Sequence, residues 1–333
     1  MDITQNLAKY VLEHGGSVHP LIIDSSLTNG TGLMNPSVAN INGEILCILR
    51  HVNYTFYHSE NKVFQHPWGP LTYIHPENDL HLRTENYLLK LDPEKLIPEN
   101  THKIITSDFD NYEPLWDFVG LEDARLVYWN NSMFICGVRR DTTINGQGRM
   151  EVSEISYITK DTVKEVDRNR IPTPNNVDTY CEKNWMPLED NPFHFIKWTN
   201  PTELVFFDKD SNTCISKFVK PQHGNIIDMR GGSQVIPWND GYLCIIHEVI
   251  FLKSDVGRKD AIYRHRFVQW DKDFNILRIS RDFSLMNAHI EFAAGMCKFD
   301  DENTLISFGF QDNAAFIMKI KNNIIDKLLK DQI

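Results

Sequence analysis

The sequence predicts an all-β fold, a five-bladed β-propeller with short peripheral helices at both termini, and three observations predict it. Five segments repeat one plan: a polar residue, a short apolar strand, a tight Asn/Asp/Gly turn and a second apolar strand. The turns are flanked by β-branched and aromatic runs, the strongest short-range hairpin signal a sequence carries. Strands nowhere alternate with helices; only ITQNLAKYVLEH near the N-terminus and NNIIDKLLKDQ near the C-terminus have helical spacing.

The first unit, Asn35-Pro36-Ser37-Val38, turns at Asn40-Ile41-Asn42-Gly43 into EILCILR. The second, Glu122-Asp123-Ala124-Arg125-LVYW, turns at Asn130-Asn131-Ser132 into MFICGVRR. The third opens at Lys183-Asn184-Trp185-Met186-Pro187 and runs through FHFIKW, Thr199-Asn200-Pro201 and ELVFF. The fourth, Gly232-Ser233-QVIPW, turns at Asn239-Asp240-Gly241 into YLCIIHEV. The fifth, Glu291-Phe292-AAGMCKF, turns at Asp300-Asp301-Glu302-Asn303 into TLISFGF. Most are followed by a further strand-like stretch, such as Tyr87-LLKL, MEVSEISYI, CISKFV, FNILRISRDF or FIMKIK. The expected organisation is one domain over 1–333, with blades at about 33–92, 122–170, 183–220, 232–283 and 291–321. Radial closure leaves few sheet edges exposed; a pair of β-sandwiches is the competing arrangement. The insert from His51 to Asn86, rich in His, Pro and Trp, reads as a loop over one face.

Composition narrows the function classes. Hydrophobic residues are 41% of 333, enough for a packed core. Forty-five acidic against 34 basic residues, a net charge of -11 and no run of Lys or Arg argue against a nucleic-acid partner. The N-terminus lacks the pattern of a signal peptide, and no apolar stretch is long enough for a membrane span. Six dispersed cysteines without a CxxC pair read as buried reduced thiols, so a cytoplasmic protein is expected.

In a propeller the innermost strand of each blade begins at the central funnel, so Asn35, Glu122 with Asp123, Lys183 with Asn184, Ser233 and Glu291 are expected to converge. Polar residues at strand entries also serve merely to bond loop backbone. Acids, a lysine and amides opening apolar strands are nevertheless costly to bury unless they pair or bind something.

These residues carry a resemblance. FVGLEDARLVYWNNSMFICGVRRD resembles the Gly-x-Glu-Asp-Pro-Arg blade of the mannoside phosphorylases, glycoside hydrolase family 130, which are five-bladed propellers. Asn35-Pro36, Lys183-Asn184-Trp185, PWNDGYLCIIHEV, Tyr263 with Arg264, and LISFGFQDNAAF with Asp312 match in order, over about residues 33 to 320. RGGSQ, YRHRFV and IEFAAG are also similar to uncharacterised bacterial domains found beside glycosyltransferases.

The resemblance implies that Asp123 is the catalytic acid, protonating the glycosidic oxygen, in several members through a sugar hydroxyl, while phosphate attacks the anomeric carbon. An inverting hydrolase needs a second carboxylate roughly 6.5–9.5 Å away to activate water; related propellers have an Asp where this chain has Asn35. Phosphate needs no base, only cations to hold it. Arg50, Lys183, Arg230, His247, Arg139 and Arg140 are the candidates, each with a surface ion pair as the alternative, and the resemblance places Lys183 and His247 around the phosphate and adds Tyr263. For Arg139 and Arg140 the surface ion pair is the stronger of the two readings. Arg125 either binds substrate or keeps Asp123 ionised. Asn35, Asn184 and Asp312 are expected to orient sugar hydroxyls, and Glu291 to contact the acceptor or replace the missing base. Trp68 stacks on a sugar ring or pins its loop. Ala124 in place of Pro, Arg230 before Gly231-Gly232, and His265-Arg266 depart from the family pattern, and the added positive charge suits a nucleotide-sugar diphosphate.

The expected activity is therefore transfer of a glycosyl group, mannosyl-type by resemblance, between a phosphate-bearing donor and a sugar hydroxyl, as a glycoside phosphorylase or a glycosyltransferase. An inverting hydrolase with Glu291 or Glu122 as base, and a non-catalytic glycan-binding propeller, are the alternatives. The partners expected are an oligosaccharide or glycan and phosphate or a sugar nucleotide. No cofactor is expected, and no metal: His51, His58, His66, His75 and His81 are irregularly spaced.

Overall fold

The hairpin turns follow from their residues. In the computed structural model, which describes residues 2–28, 32–54, 81–221, 224, 229–252 and 260–330, Asn42-Gly43 joins Ile41 to Glu44 with φ of 54° and 88°. Asn130-Asn131 joins Trp129 to Ser132 with φ of 50° and 65°. Two successive positive φ values make the tight turn whose twist suits antiparallel strands, and Asn and Gly adopt them most readily.

Five sheets result. The first holds Leu33–Ile41, Glu44–Val52, Leu82–Leu91 and Pro98–Ile105; the second holds Glu122–Trp129, Ser132–Arg139, Arg149–Thr159 and Thr162–Arg170. The third holds Met186–Pro187, His194–Trp198, Glu203–Asp208 and Thr213–Val219. In the fourth, Arg230–Gly231 and Ile236–Trp238 both pair with Gly241–Leu252, followed by Asp260–Asp271 and Ile276–Ile279. The fifth holds Glu291–Lys298, Asn303–Phe310 and Ala314–Lys321, and its outer strand is the N-terminal Ser17–Pro20, which pairs antiparallel from Ser17 with Lys319 to Pro20 with Phe316. The first and second sheets also share an outer edge, where Val163 and Lys164 pair in parallel with Ile104 and Ile105.

Apolar clusters fill the gap between each sheet and the next, all the way round. On Glu44–Val52, Ile45, Cys47 and Leu49 face the fifth sheet while Leu46 and Ile48 face the second. Both faces of the strand are buried, which explains why EILCILR reads as a continuous apolar run. Val127 and Phe134 meet Phe195 and Val205 between the second and third sheets, and Ile196 and Leu204 meet Cys244 and Ile246 between the third and fourth. The ring closes where Leu243 and Ile245 meet Met296 and Ile306. The fold is a five-bladed β-propeller.

The terminal helices are Leu7–Glu13 and Asn322–Lys330, and both bury an apolar stripe in the cluster between the fourth and fifth sheets. The N-terminal helix starts four residues later than its pattern suggests because the Asn6 side chain caps it, accepting from the Lys9 amide. Among the described residues no helix is long and apolar enough to cross a membrane. The insert is shorter than its composition suggests: Leu82, Thr84 and Asn86 already point inward from a strand, and residues 55–80, with Trp68, His58, His66 and His75, lie outside the described residues. The fourth inner strand is split, since Gly231 and Gly232 pass too near other backbone for a side chain. A Cβ there would lie 1.8 Å from the Asn184 carbonyl oxygen and 2.4 Å from that of Ile245.

One side chain ties the ring together. Gln234, 2% exposed, donates to Ser37 Oγ, Val38 O and Leu126 O at 3.0, 3.1 and 2.7 Å and accepts from the Met296 amide at 3.0 Å. It joins the first, second, fourth and fifth sheets. Gln234→Ala is expected to lower unfolding free energy by about 2–4 kcal/mol in urea titration, because buried backbone groups in three sheets lose partners at once.

Candidate active site

The inner strands enter the funnel through residues in the left-handed backbone region. Asn35, Asp123 and Asn184 have φ of 47°, 51° and 60°, and Asp312, on the turn before Ala314–Lys321, has φ of 50°. In the first two sheets these residues coincide with breaks in register, between Met34 and Ser37 and between Glu122 and Arg125. Such bulges re-aim a side chain out of the pleat. Asn and Asp bear the left-handed conformation at least cost, which is still about 1–2 kcal/mol.

The four side chains meet in one cavity of about 370 Å³ at the mouth of the funnel, which Arg50, Lys183, Arg230, His247 and Tyr263 also line. At its centre, Asp123 Oδ1 accepts from Asn35 Nδ2 and from Arg50 Nη1, each at 2.7 Å. Arg50 is buried and held from behind: Nε and Nη2 donate to Thr84 Oγ1 at 3.2 and 3.1 Å, and Nη2 to the Tyr54 hydroxyl at 3.1 Å. Glu122 approaches the same guanidinium at 3.6 Å. Burial pushes the Asp123 pKa up, but the charges of Arg50 and Arg125 and the hydrogen bonds from Asn35 and Arg50 outweigh it, so the carboxyl is held at about 2. Asp123 is therefore ionised at neutral pH.

Three expected site residues have other roles. Arg125 does not reach the cavity. Fully buried, it donates to Gly232 O at 2.9 Å, to Asp123 O at 2.7 Å and to Asn184 Oδ1 at 3.4 Å, pinning the strand entries of three sheets. Of its two expected roles, substrate contact is excluded and the electrostatic one remains. Glu291 is corrected outright: its buried carboxylate accepts from Ser284 Oγ at 3.1 Å and from the amides of Leu285, Met286 and Ala288 at 2.7, 2.6 and 2.9 Å. It shapes the turn before its own strand and is not available as a base. His247 lines the cavity, but not as a cation. Burial, then His265, Arg230, Arg125 and Lys183, hold its pKa well below the ordinary imidazole value. It stacks on Tyr263 at 5.5 Å between ring centres, and its Nδ1 is buried without a hydrogen-bond partner. Burial pushes the Tyr263 phenol up, so it too is a neutral donor.

Lys183 is exposed and forms no ion pair among the described residues. Arg230 lies over the Phe251 ring at 5.7 Å. Arg140, a candidate cation for which the sequence favours a surface ion pair, lines the cavity, where it donates to Gly146 O at 3.0 Å and Cys181 Sγ at 3.1 Å. Its neighbour Arg139 is buried and paired with Glu151 at 2.7 Å. Tyr54, Trp116, Phe118, Tyr180 and Phe251 also line it and were not anticipated; each lies in a connection or at a strand end, where no period marks an inward face. His51 pairs with Glu85 at 3.5 Å, and His81 lies 3.3 Å from Arg83.

The same fold occurs in solved structures. The chain superposes on a β-1,2-mannobiose phosphorylase from Listeria innocua, solved with β-1,2-mannobiose, at a TM-score of 0.54 and 13% identity over 90% of this chain and 92% of that one. A mannose phosphorylase from Leishmania mexicana, solved with a phosphate ion, gives 0.51 and 12% over 95% and 92%. A GDP-Man-dependent mannosyltransferase from the same organism gives 0.54 and 14% over 94% and 93%. The fold is thus that of the GH130 mannoside phosphorylases. No family model matches the chain, and no curated protein does.

The charge state of Asp123 has a measurable signature. Its folded pKa of about 2 lies below the ordinary 3.8, so its ionisation stabilises the fold above pH 4, and that contribution is lost as pH falls from about 4 to 2. It amounts to roughly 2 kcal/mol. Urea titrations of wild type and Asp123→Asn at a series of pH values are expected to show a wild-type advantage that is constant near neutrality and shrinks through that acid window. Glu291→Gln is expected to cost about 2–3 kcal/mol, since an amide nitrogen replaces an acceptor facing backbone N–H groups, while the affinity for phosphate stays unchanged.

Proposed function

We propose that the protein is a carbohydrate-active enzyme that moves a glycosyl group, mannosyl in type, between an oxygen of a phosphate-bearing donor and a sugar hydroxyl, with Asp123 as the proton carrier. The observation that carries this reading is the single cavity in which an ionised, half-buried carboxylate lies among Arg50, Lys183 and Arg230 and the neutral donors His247 and Tyr263. The related folds support it from two sides, one being solved with phosphate and another using GDP-Man.

The charge state of Asp123 favours one direction. In the synthetic direction, the acceptor hydroxyl gives its proton to Asp123, directly or through a sugar hydroxyl, as its oxygen bonds to the anomeric carbon. The bond from that carbon to the phosphate oxygen breaks, and its electron pair stays on the phosphate, where Lys183 and Arg230 stabilise the charge. A carboxylate held at about 2 is ready for the first of these events. In the reverse direction Asp123 must start protonated. Phosphate bound among the same cations offsets their pull, and an added anion within about 4–6 Å raises a carboxyl pKa by roughly 1–3 units. Proton uptake is thereby tied to phosphate binding. Hydrolysis finds less support, because Glu291 is consumed by backbone amides and Glu122 lies beside Arg50.

Asp123→Asn is expected to lower kcat by roughly two to four powers of ten, as loss of a general acid or base does. Lys183→Ala is expected mainly to raise the KM for the phosphate-bearing substrate. Sugar-phosphate and nucleotide-sugar donors with an acceptor panel supply the assay, and products are compared with and without phosphate. Free sugar released at equal rates in both contradicts the proposal. Phosphate or a nucleoside diphosphate at saturation is expected to raise Tm by several degrees.

A further inference from the structure

A second cavity of about 530 Å³ lies between the first and second sheets and shares no lining residue with the catalytic one. The gap between these sheets is packed by an apolar cluster like the others, and the crevice opens over three of its members, Ile104, Leu121 and Ile135. The crevice stays open for two reasons. The parallel pairing of Val163 with Ile104 and of Lys164 with Ile105 fixes the outer edges of the sheets at hydrogen-bonding distance. At its upper end the side chains are charged and hold one another instead of collapsing inward: Arg139 bonds Glu151 at 2.7 Å and Asp110 at 3.3 Å, and Arg168 bonds Glu165 at 2.5 Å.

We propose that this crevice is an accessory binding site for an uncharged sugar. Its size falls within the range of small-molecule sites. The lining carboxylates Glu85, Asp110 and Glu165 pair with Lys103 at 2.5 Å, Arg139 at 3.3 Å and, just outside the lining, Arg168 at 2.5 Å, so the cations at the walls are already engaged by carboxylates and none is offered to an anion. A phosphate would face three carboxylates, and an apolar ligand would strip water from paired charges with nothing in exchange. Hydroxyl groups suit the walls, because they donate to carboxylate lone pairs left over by the ion pairs and to Thr106 Oγ1, whose own hydrogen goes to Asp110 at 2.6 Å, and accept from the hydroxyl of Ser107. The floor of Ile104, Leu121 and Ile135 is flat enough in chemistry for the C–H face of a pyranose. The place also matters: Thr84 lines the crevice and accepts two of the three rear bonds of Arg50, and Gly120-Leu121 immediately precede Glu122-Asp123. An occupant bears on both members of the catalytic ion pair from behind.

The site does not depend on the reaction proposed above, and its test does not use turnover. Crystals of wild type and of Ser107→Trp, a change at an exposed turn position that fills the mouth, are soaked in mannose, glucose and their disaccharides at tens of millimolar. Calorimetry on phosphate-saturated protein accompanies them. The expected result is sugar density against Ile104 and Leu121 in wild type, absent in the variant, and affinity weaker by about tenfold or more in Ser107→Trp with phosphate affinity unchanged. Ordered water alone in the soaked crevice, or sugar uptake that Ser107→Trp leaves intact, overturns the proposal. Failure of phosphate to bind tells instead against the catalytic reading, and the soaks still decide this one.

Discussion

The ion pair between the buried Arg50 and the half-buried Asp123 is the constraint around which the funnel is organised. Two charges taken out of water gain from each other only if their remaining hydrogen-bonding capacity is met, and here Thr84, Tyr54, Asn35 and Glu122 meet it. Removing one partner from such a pair costs about 3–5 kcal/mol, because it strands the other. The pair is also why Asp123 stays ionised despite its burial. Stability and chemistry therefore draw on the same contacts.

The ring explains how so polar a centre can exist in an apolar fold. Every inner strand buries both faces between neighbouring sheets, so the strand entries are the places where polar side chains can face a cavity. Left-handed backbone at Asn35, Asp123, Asn184 and Asp312 turns them there, and the buried Arg125 holds the entries of three sheets in place by their carbonyl and amide oxygens. Glycines at 231 and 232 let the fourth sheet come close enough to complete the wall. The cost in backbone strain is local, and the interlocking core around Gln234 supports it.

Much of this was legible in the sequence, for identifiable reasons. Asn-Gly and Asn-Asn turns have few conformations open to them, so the hairpins and the ring could be read directly. Asn35, Asp123 and Asn184 could be read because position at a strand entry fixes direction, and because Asn and Asp are the residues that tolerate the turn required. Other assignments failed where residue type alone was the guide. Glu291 occupies an equivalent entry, yet the amides of the preceding turn capture its carboxylate, and nothing in a one-dimensional pattern reveals that capture. His247 lies where it was expected, but its charge depends on burial among three cations. Arg140 and Arg139 are adjacent and alike in sequence; the strand pleat sends one to the cavity and the other into a buried network.

A neutral imidazole, a protonated phenol, four cations (Arg50, Arg140, Lys183 and Arg230) and the ionised Asp123 carboxylate around a cavity form a set in which proton and phosphate occupancy are coupled. The most direct test of that coupling is a carbon-13 titration of the Asp123 carboxyl by NMR, with and without inorganic phosphate. The account predicts a pKa near 2 in the free protein and an upward displacement of about one unit or more when phosphate is bound. An Asp123 resonance indifferent to saturating phosphate, or a carboxyl already protonated at neutral pH without it, would contradict the account.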